Sequence, residues 1–191
     1  MARWDPGTED RLRQAALDLF AEHGYDDVTV TQIAERAGIT RRSYFRYFPD
    51  KREVLFAGAE QLPLAIAEAV LASAEKSAPA IALDAARQVG ALLVGRVDRT
   101  AERRAVIASS PELQERERTK AAAITTALCD ALVERGAAVD EARLVARLVA
   151  VCFQEALERW IDTGEAFESC LDLVAASVRS AAEVFPPQVS S

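Results

Sequence analysis

The sequence predicts an all-α protein made of a small amino-terminal three-helix domain and a larger helical body. Half of the 191 residues are hydrophobic, while Gly and Pro occur only 8 and 7 times, which favours helices over a sandwich or barrel. Apolar residues recur at spacings of three and four along most of the chain, as on one face of a helix. We predict domain boundaries at residues 1–50 and 51–191.

The amino-terminal part is predicted to form three short helices that end at Gly or Pro. They run from Thr8 to His23, from Thr29 to Gly38, and from near Thr40 to just before Pro49. The run Val28–Thr31 alternates like a strand, but Thr29 and Gln32 have the spacing of a capping box, so we interpret it as a helix start.

Longer helices are predicted in the rest of the chain. Asp50 is expected to cap a long helix from Lys51 to about Ala74, which Pro63 would kink or break. The remaining predicted helices, separated by Gly, Pro and polar residues, cover residues 80–99, 101–108, 111–135, 140–162 and 167–184.

Charge is distributed unevenly along the chain. Residues 36–52 hold six basic residues and one acid, a net charge of +5, although the whole chain carries −7. The remaining residues therefore carry −12. A basic, aromatic helix-turn-helix attached to an acidic body is typical of a protein that reads double-stranded DNA with one domain.

The helix after Gly38 is the candidate recognition helix, because its first residues would face base edges in a major groove. Arg41 and Arg42 have the forked donors that suit guanine O6 and N7. Other candidate DNA contacts are hydroxyls and groups near helix ends: Thr31, Thr40, Ser43, Tyr47 and Lys51. Tyr44 and Phe48 are expected in the core.

The ordered pattern of residues 29–51 resembles the amino-terminal signature of the tetracycline-repressor (TetR) family. It reads Thr29-Val-Thr-x-Ile-Ala-x-x-Ala-Gly-Ile-Thr-x-x-Ser-x-Phe-x-Tyr-Phe-x-x-Lys51. The resemblance covers about the first 55 residues and implies an all-α homodimer of nine- or ten-helix subunits. It also implies operator binding by the amino-terminal domain, release by a small ligand bound in the body, and DNA contacts at the candidate positions above.

One residue departs from the family pattern. Where the family usually has a tyrosine whose hydroxyl meets a phosphate, this chain has Phe45. Phenylalanine cannot donate that hydrogen bond, but its ring can pack against a sugar or a thymine methyl group, and Arg42 and Arg46 can supply backbone affinity.

The body is expected to hold a dimer interface and a pocket for a small hydrophobic effector. The helix around residues 144–161 is apolar over more than half its circumference, so two faces must be buried, in the monomer core or against a second copy. The candidate interface residues are Trp160, Ile161, Phe167, Leu171, Val174 and Val178. The candidate pocket residues are the apolar Ile124, Leu128, Phe153 and Leu157 and the polar Gln154.

The sequence argues against several other classes of protein. A single histidine, His23, leaves no Ser-His-Asp set or histidine-rich metal site, and no phosphate-binding glycine loop occurs, so we expect no catalysis, metal or cofactor. Cys129, Cys152 and Cys170 match no zinc spacing and suggest reduced thiols in a cytoplasmic protein. No apolar run approaches the roughly 20 residues of a membrane span. The alternative is an all-α protein-interaction module without DNA binding.

Overall fold

The computed structural model describes residues 7–94 and 99–182, and within these ranges the regular structure is helical. The α-helices, in chain order, are α1 (Thr8–His23), α2 (Val30–Arg36), α3 (Arg41–Tyr44), α4 (Leu62–Ala72), α5 (Ala78–Val94), α6 (Thr100–Ala108), α7 (Pro111–Glu134), α8 (Val139–Thr163) and α9 (Phe167–Ala182). Short 3-10 turns cover Glu53–Phe56 and Ala59–Gln61. The all-α prediction is confirmed for the part of the chain that is described.

The first compact unit comprises residues 7–60 together with Arg99–Lys120. Its core is formed by the buried faces of α1, α2 and α3, with Ile33 and Tyr44 fully enclosed. Val106 and Ile107 of α6 and Leu113 at the start of α7 complete that core. The helix-turn-helix is therefore packed against a segment that lies more than 50 residues further along the chain.

Local sequence signals determine how the helix-turn-helix is built. Thr29 and Gln32 form the predicted capping box, in which the Gln32 amide donates to the Thr29 hydroxyl and the Thr29 amide donates to the Gln32 side chain at 2.8 Å. Gly38 adopts φ +74°, the left-handed conformation that the tight turn into α3 requires. These features confirm the predicted start of α2 and its end at the glycine turn.

The predicted break near Pro63 is confirmed, but the helix expected before it, from Lys51 onward, is not present. Asp50 does accept hydrogen bonds from the amides of Arg52 and Glu53, but only a 3-10 turn follows it. Pro63 lies in the first turn of α4 rather than inside a long helix. A proline lacks an amide hydrogen and has a fixed φ, so it starts a helix more easily than it continues one. α3 is also shorter than predicted.

The second compact unit comprises residues 61–94 and 121–182. Here α8 packs mainly on α9, while α5 packs on α4, α8 and α9. The rings of Phe153 and Phe167 lie 5.1 Å apart in this unit, and Gly90 of α5 faces Phe167 so closely that an added Cβ would overlap its ring. The predicted ends of the helices near residues 99 and 184 adjoin or fall in the stretches outside the described residues.

The two compact units do not coincide with the predicted domains. Residues 1–50 and 51–191 remain a predicted functional division, whereas the contacts assign α6 and the start of α7 to the unit that holds the helix-turn-helix. Among the described helices, none combines the length and the apolarity needed to cross a membrane.

Candidate nucleic-acid interface

The orientation of α3 is fixed by one cap and one buried aromatic side chain. The Thr40 hydroxyl accepts from the Ser43 amide at 3.1 Å, which caps the first turn of α3. On the opposite face the fully buried Tyr44 donates its hydroxyl to the carbonyl oxygen of Asp50 at 3.1 Å. Burial raises the pKa of Tyr44, so it remains a neutral hydrogen-bond donor. Tyr44 is thus a core residue, as predicted.

This orientation leaves a basic outer face on and just after α3. Arg41, Arg42 and Arg46 are exposed, and none of them forms an ion pair with an acidic residue of the described chain. Since no carboxylate among the described residues pairs with them, their charge is available to an external anion. We call these three side chains the α3 arginines.

The other basic residues in residues 36–52 are already engaged within the first unit. Arg36 pairs with Glu22 at 3.0 Å, and Arg52 pairs with Asp50 at 2.8 Å and with Glu112 at 3.1 Å. The net charge of +5 therefore overstates how many cations face outward. Three residues, the α3 arginines, account for the unpaired guanidinium groups of this stretch.

Lys51, predicted to reach a DNA phosphate, is held by the protein itself. Its Nζ donates to the carbonyl oxygen of Tyr25 at 2.7 Å and lies 3.4 Å from that of Asp26. The ammonium group also lies 4.0 Å from the centroid of the Tyr25 ring. No local pattern could reveal these partners, because they lie 25 and 26 positions earlier in the chain.

The remaining predicted DNA contacts occupy different environments. Thr31 is exposed in the first turn of α2, and Thr40 is exposed at the start of α3. Ser43 is half-buried with its hydroxyl 3.0 Å from that of Thr40, and Tyr47 is also half-buried. Phe45 is 45% exposed and is the C-cap residue directly after α3. The structure thus brings Arg41, Arg42, Thr40 and Phe45 onto or beside one short helix, while Lys51 contacts Tyr25.

A cavity of about 510 Å³ lies in the second unit, between α5, α8 and α9. Its walls are mainly apolar, with Arg87 and Arg179 among the polar residues that line it. None of the five predicted pocket residues lines this cavity. Leu128 is a core residue, Ile124, Phe153 and Leu157 are partly buried, and Gln154 is exposed, so the predicted pocket stays a prediction.

The predicted interface residues divide into two groups, and two of them need correction. Phe167 and Leu171 lie inside the core of the second unit, because the first residues of α9 pack on α5 and α8, so neither offers surface to a partner. The others are partly buried: Trp160, Ile161, Val174 and Val178.

Beyond its first residue, Val139, the large apolar side chains that α8 exposes are Leu144, Leu148 and Val151, which are 60%, 43% and 57% exposed, and Leu148 also lines the cavity. They recur at helical spacing on one face, which we call the outer α8 face. The sequence predicts a second apolar face on this helix, and these three side chains form one.

The fold and the basic helix define the class of protein as one with an amino-terminal helix-turn-helix and a helical body. Residues 12–57 match the model of a family described as bacterial regulatory proteins, tetR family. The amino-terminal part of the chain is therefore similar to the DNA-binding part of this family. The regulator TcmR of Streptomyces glaucescens is 43% identical over 68 residues, which are 36% of this chain and 28% of TcmR. The chain thus matches less than a third of that relative's length.

Solved structures resemble the chain over nearly its whole length, although at low identity. The structure of a complex of SmeT with triclosan matches this chain with a TM-score of 0.59 and 19% identity. The match covers 90% of this chain and 91% of the SmeT chain. The regulator FadR of Bacillus subtilis, solved with stearoyl-CoA, matches with a TM-score of 0.55 and 20% identity. The match covers 86% of this chain and 96% of the FadR chain. These likenesses extend the shared fold to the helical body.

Proposed function

We propose that this protein is a cytoplasmic transcriptional repressor that binds a palindromic operator as a homodimer and leaves it when a small hydrophobic effector binds. The observation that carries this proposal is the set of α3 arginines, exposed and without an acidic partner in the described chain. The match of residues 12–57 to the tetR family model supports it, since the relatives that share this part of the chain are transcriptional regulators.

Sequence reading is assigned to the residues on and beside α3. A guanidinium group can donate two parallel hydrogen bonds to guanine O6 and N7, and each such contact discriminates by about 1–3 kcal/mol. We assign this role to Arg41 and Arg42, and phosphate contact to Arg46. The exposed hydroxyls of Thr31 and Thr40 are assigned to phosphates, which position the domain without reading sequence.

Dimerisation is assigned to the outer α8 face. Three exposed apolar side chains on one helix face are costly to leave in water, and a second copy of the same face would cover them. Two helix-turn-helix units held about 34 Å apart would read two half-sites one helical turn apart. The alternative function, a protein-interaction module, would use the same apolar face but has no use for the α3 arginines.

The effector is assigned to the second unit. Triclosan is largely apolar and stearoyl-CoA carries a long apolar acyl chain, and the cavity between α5, α8 and α9 is lined mainly by apolar side chains. We therefore propose a ligand with a substantial apolar portion. Binding of such a molecule would favour one arrangement of the dimer, and DNA affinity would fall if that arrangement separates the two half-site contacts.

The decisive experiment selects duplexes from a random-sequence pool with the purified full chain and measures their affinity at two salt concentrations. We expect a palindromic site, with affinity falling steeply as salt rises. Arg41→Ala and Arg42→Ala should each relax the preference for one base per half-site. Arg118→Ala is the matched control, because this exposed arginine of α7 pairs with Glu115 at 2.7 Å. If no duplex is enriched, or if both α3 variants keep the wild-type preference, the proposal is wrong.

A further inference from the structure

Phe45 occupies an unusual position for a large apolar side chain. Among the described residues of the first unit it is the one large hydrophobic side chain that is strongly exposed, at 45%. Its neighbours on α3 and the following turn, Tyr44 and Phe48, are both buried, so the core does not need a third ring here. An isolated aromatic ring on the same face as unpaired cations suggests contact with a partner that has both apolar and acceptor groups.

Arg41 and Phe45 form a stacked pair four residues apart. The Arg41 guanidinium carbon lies 5.5 Å from the centroid of the Phe45 ring, within the range of a cation–π contact. The Phe45 ring is itself supported by Tyr44, whose ring meets it edge-on at 5.6 Å. This arrangement limits the directions that the Arg41 side chain can take, whereas no aromatic contact of this kind involves Arg42 or Arg46 among the described residues.

We propose that Phe45 is a specificity-determining residue that packs on the C5 methyl group of a thymine, beside a guanine contacted by Arg41. This inference rests on the proposed function and identifies a feature of the operator. A thymine methyl is the one apolar group that a base edge presents in the major groove, and it suits an exposed phenyl ring. The ring also positions the Arg41 fork, so the thymine and guanine contacts act as a unit.

A contact with deoxyribose is the competing interpretation of the exposed ring. Sugar packing carries no sequence information, because every nucleotide presents the same sugar. The two interpretations separate when thymine is replaced by deoxyuridine, which removes the methyl group and leaves the pairing edge and the sugar unchanged. In the same way, 7-deazaguanine removes only the N7 acceptor that a bidentate arginine uses.

The experiment begins with the palindromic duplex selected by the wild-type protein. Each thymine of a half-site is replaced in turn by deoxyuridine, and affinity is measured for the wild type and for Phe45→Ala. At one thymine the wild type should lose about fourfold in affinity, the effect of one buried methyl group. Phe45→Ala should show no loss at that position. Because the base change and the side-chain change are made separately and together, the comparison separates this contact from a general loss of DNA affinity in the variant.

A second variant separates the methyl contact from the positioning of Arg41. Phe45→Leu keeps an apolar side chain but removes the ring, so it should retain part of the deoxyuridine effect. The penalty for 7-deazaguanine at the neighbouring guanine should shrink in Phe45→Leu and disappear in Arg41→Ala. Phe45→Tyr keeps the ring and should retain both penalties. Thermal unfolding checks that these exposed substitutions leave the fold intact.

The outcomes distinguish this inference from the proposed function. If deoxyuridine weakens the wild type and Phe45→Ala equally at every position, or weakens neither, Phe45 does not read thymine and the inference is overturned, while operator binding stands. If the pool yields no preferred duplex, the proposed function itself fails. A loss confined to one thymine and abolished by Phe45→Ala supports the inference.

Discussion

The ammonium nitrogen of Lys51 lies 2.7 Å from the carbonyl oxygen of Tyr25 and 4.0 Å from the centroid of the same residue's ring. Tyr25 is buried just after α1, and Lys51 follows the turn after α3. The Lys51 side chain therefore links the segment after α1 to the segment after α3. Burial is also the main cause that raises the pKa of Tyr25, with the negative charge of Glu112 acting in the same direction.

We predict that Lys51→Met destabilises the first unit while keeping the length and apolar stem of the side chain. A hydrogen bond from a charged donor contributes about 1.5–3 kcal/mol, and partial exposure of Lys51 reduces this to about 1–2 kcal/mol. Urea denaturation at neutral pH measures the loss. Lys76→Met, a change at an exposed lysine, is the control, and equal free energies of unfolding for the two variants would contradict the prediction.

The same variant tests whether Lys51 also contacts DNA. A lysine held by two carbonyl oxygens neutralises no phosphate, so the salt dependence of operator affinity should be the same for Lys51→Met and the wild type. A decrease in that slope by about one would show instead that Lys51 leaves Tyr25 and binds a phosphate, as the sequence predicts.

Glu53 is the centre of a second set of contacts in the first unit. Arg116 donates from Nε to its carboxylate at 2.6 Å, and the Lys120 ammonium lies 3.1 Å from the other oxygen. Burial by itself would raise the pKa of Glu53, but the hydrogen bonds from Arg116 and Lys120 outweigh it and hold the pKa below its usual value of 4.5.

This lowered pKa predicts how stability depends on acidity. When the pKa is lower in the folded than in the unfolded state, the unfolded state binds the proton more readily, so the contribution of Glu53 is complete above pH 4.5 and is lost as the pH falls through the folded pKa. Glu53→Gln should therefore be about 1 kcal/mol less stable than the wild type at about pH 7, with a smaller difference at about pH 3. Urea denaturation across this range checks it.

Glu35→Gln, at an exposed carboxylate of α2, serves as the control for that series. It removes one negative charge from the same unit without touching the contacts of Arg116 and Lys120. The prediction fails if the difference between Glu53→Gln and the wild type is the same at neutral pH and in acid.

The helix-turn-helix is predictable from sequence because its geometry depends on short-range chemistry. The capping box of Thr29 and Gln32 and the positive φ of Gly38 involve residues at most three positions apart, and a linear pattern reveals both. The ends of α2, α7 and α8 follow from the same kind of signal. Whether Arg41 forms an ion pair depends on which acidic side chains lie close to it in the folded protein. The local net positive charge favours an unpaired arginine in this stretch, but it does not determine which arginine is unpaired.

Contacts between distant residues are beyond prediction from local patterns. Nothing near Lys51 in the chain suggests Tyr25 as a partner, so the sequence does not predict that contact. It assigns Phe167 to an interface because a single apolar stripe looks the same whether a neighbouring helix or a second copy covers it. It places Pro63 inside a helix because periodicity alone does not show where a helix begins.

The close approach of Gly90 and Phe167 gives a stability prediction for the second unit. In an open helix, Gly→Ala would stabilise by about 1 kcal/mol, since glycine is a poor helix former. At Gly90 an added methyl group overlaps a buried ring that also packs against Phe153, and overpacking costs about 1–3 kcal/mol. We predict a net loss of about 1 kcal/mol for Gly90→Ala in thermal or urea denaturation.

A double variant tests the stated cause of that loss. Phe167→Leu removes the ring and leaves room for the new methyl group, so Gly90→Ala should be less harmful, or even stabilising, in the Phe167→Leu background. The same loss in both backgrounds would mean that the ring is not responsible.

The outer α8 face gives the last prediction, which concerns the proposed dimer. Val151→Glu should weaken self-association roughly a hundredfold, because a carboxylate without a partner would be buried between two copies of the face. Leu64→Glu is the matched control, since Leu64 of α4 is 64% exposed, compared with 57% for Val151. Sedimentation of both variants over a range of concentrations measures the effect. A wild type that stays monomeric would refute the dimer, and equal dissociation of the two variants would place the interface elsewhere than α8. Because neither substitution touches α3, a monomeric Val151→Glu that still binds one half-site weakly would show that the α8 face contributes pairing while the α3 arginines contribute contact with DNA.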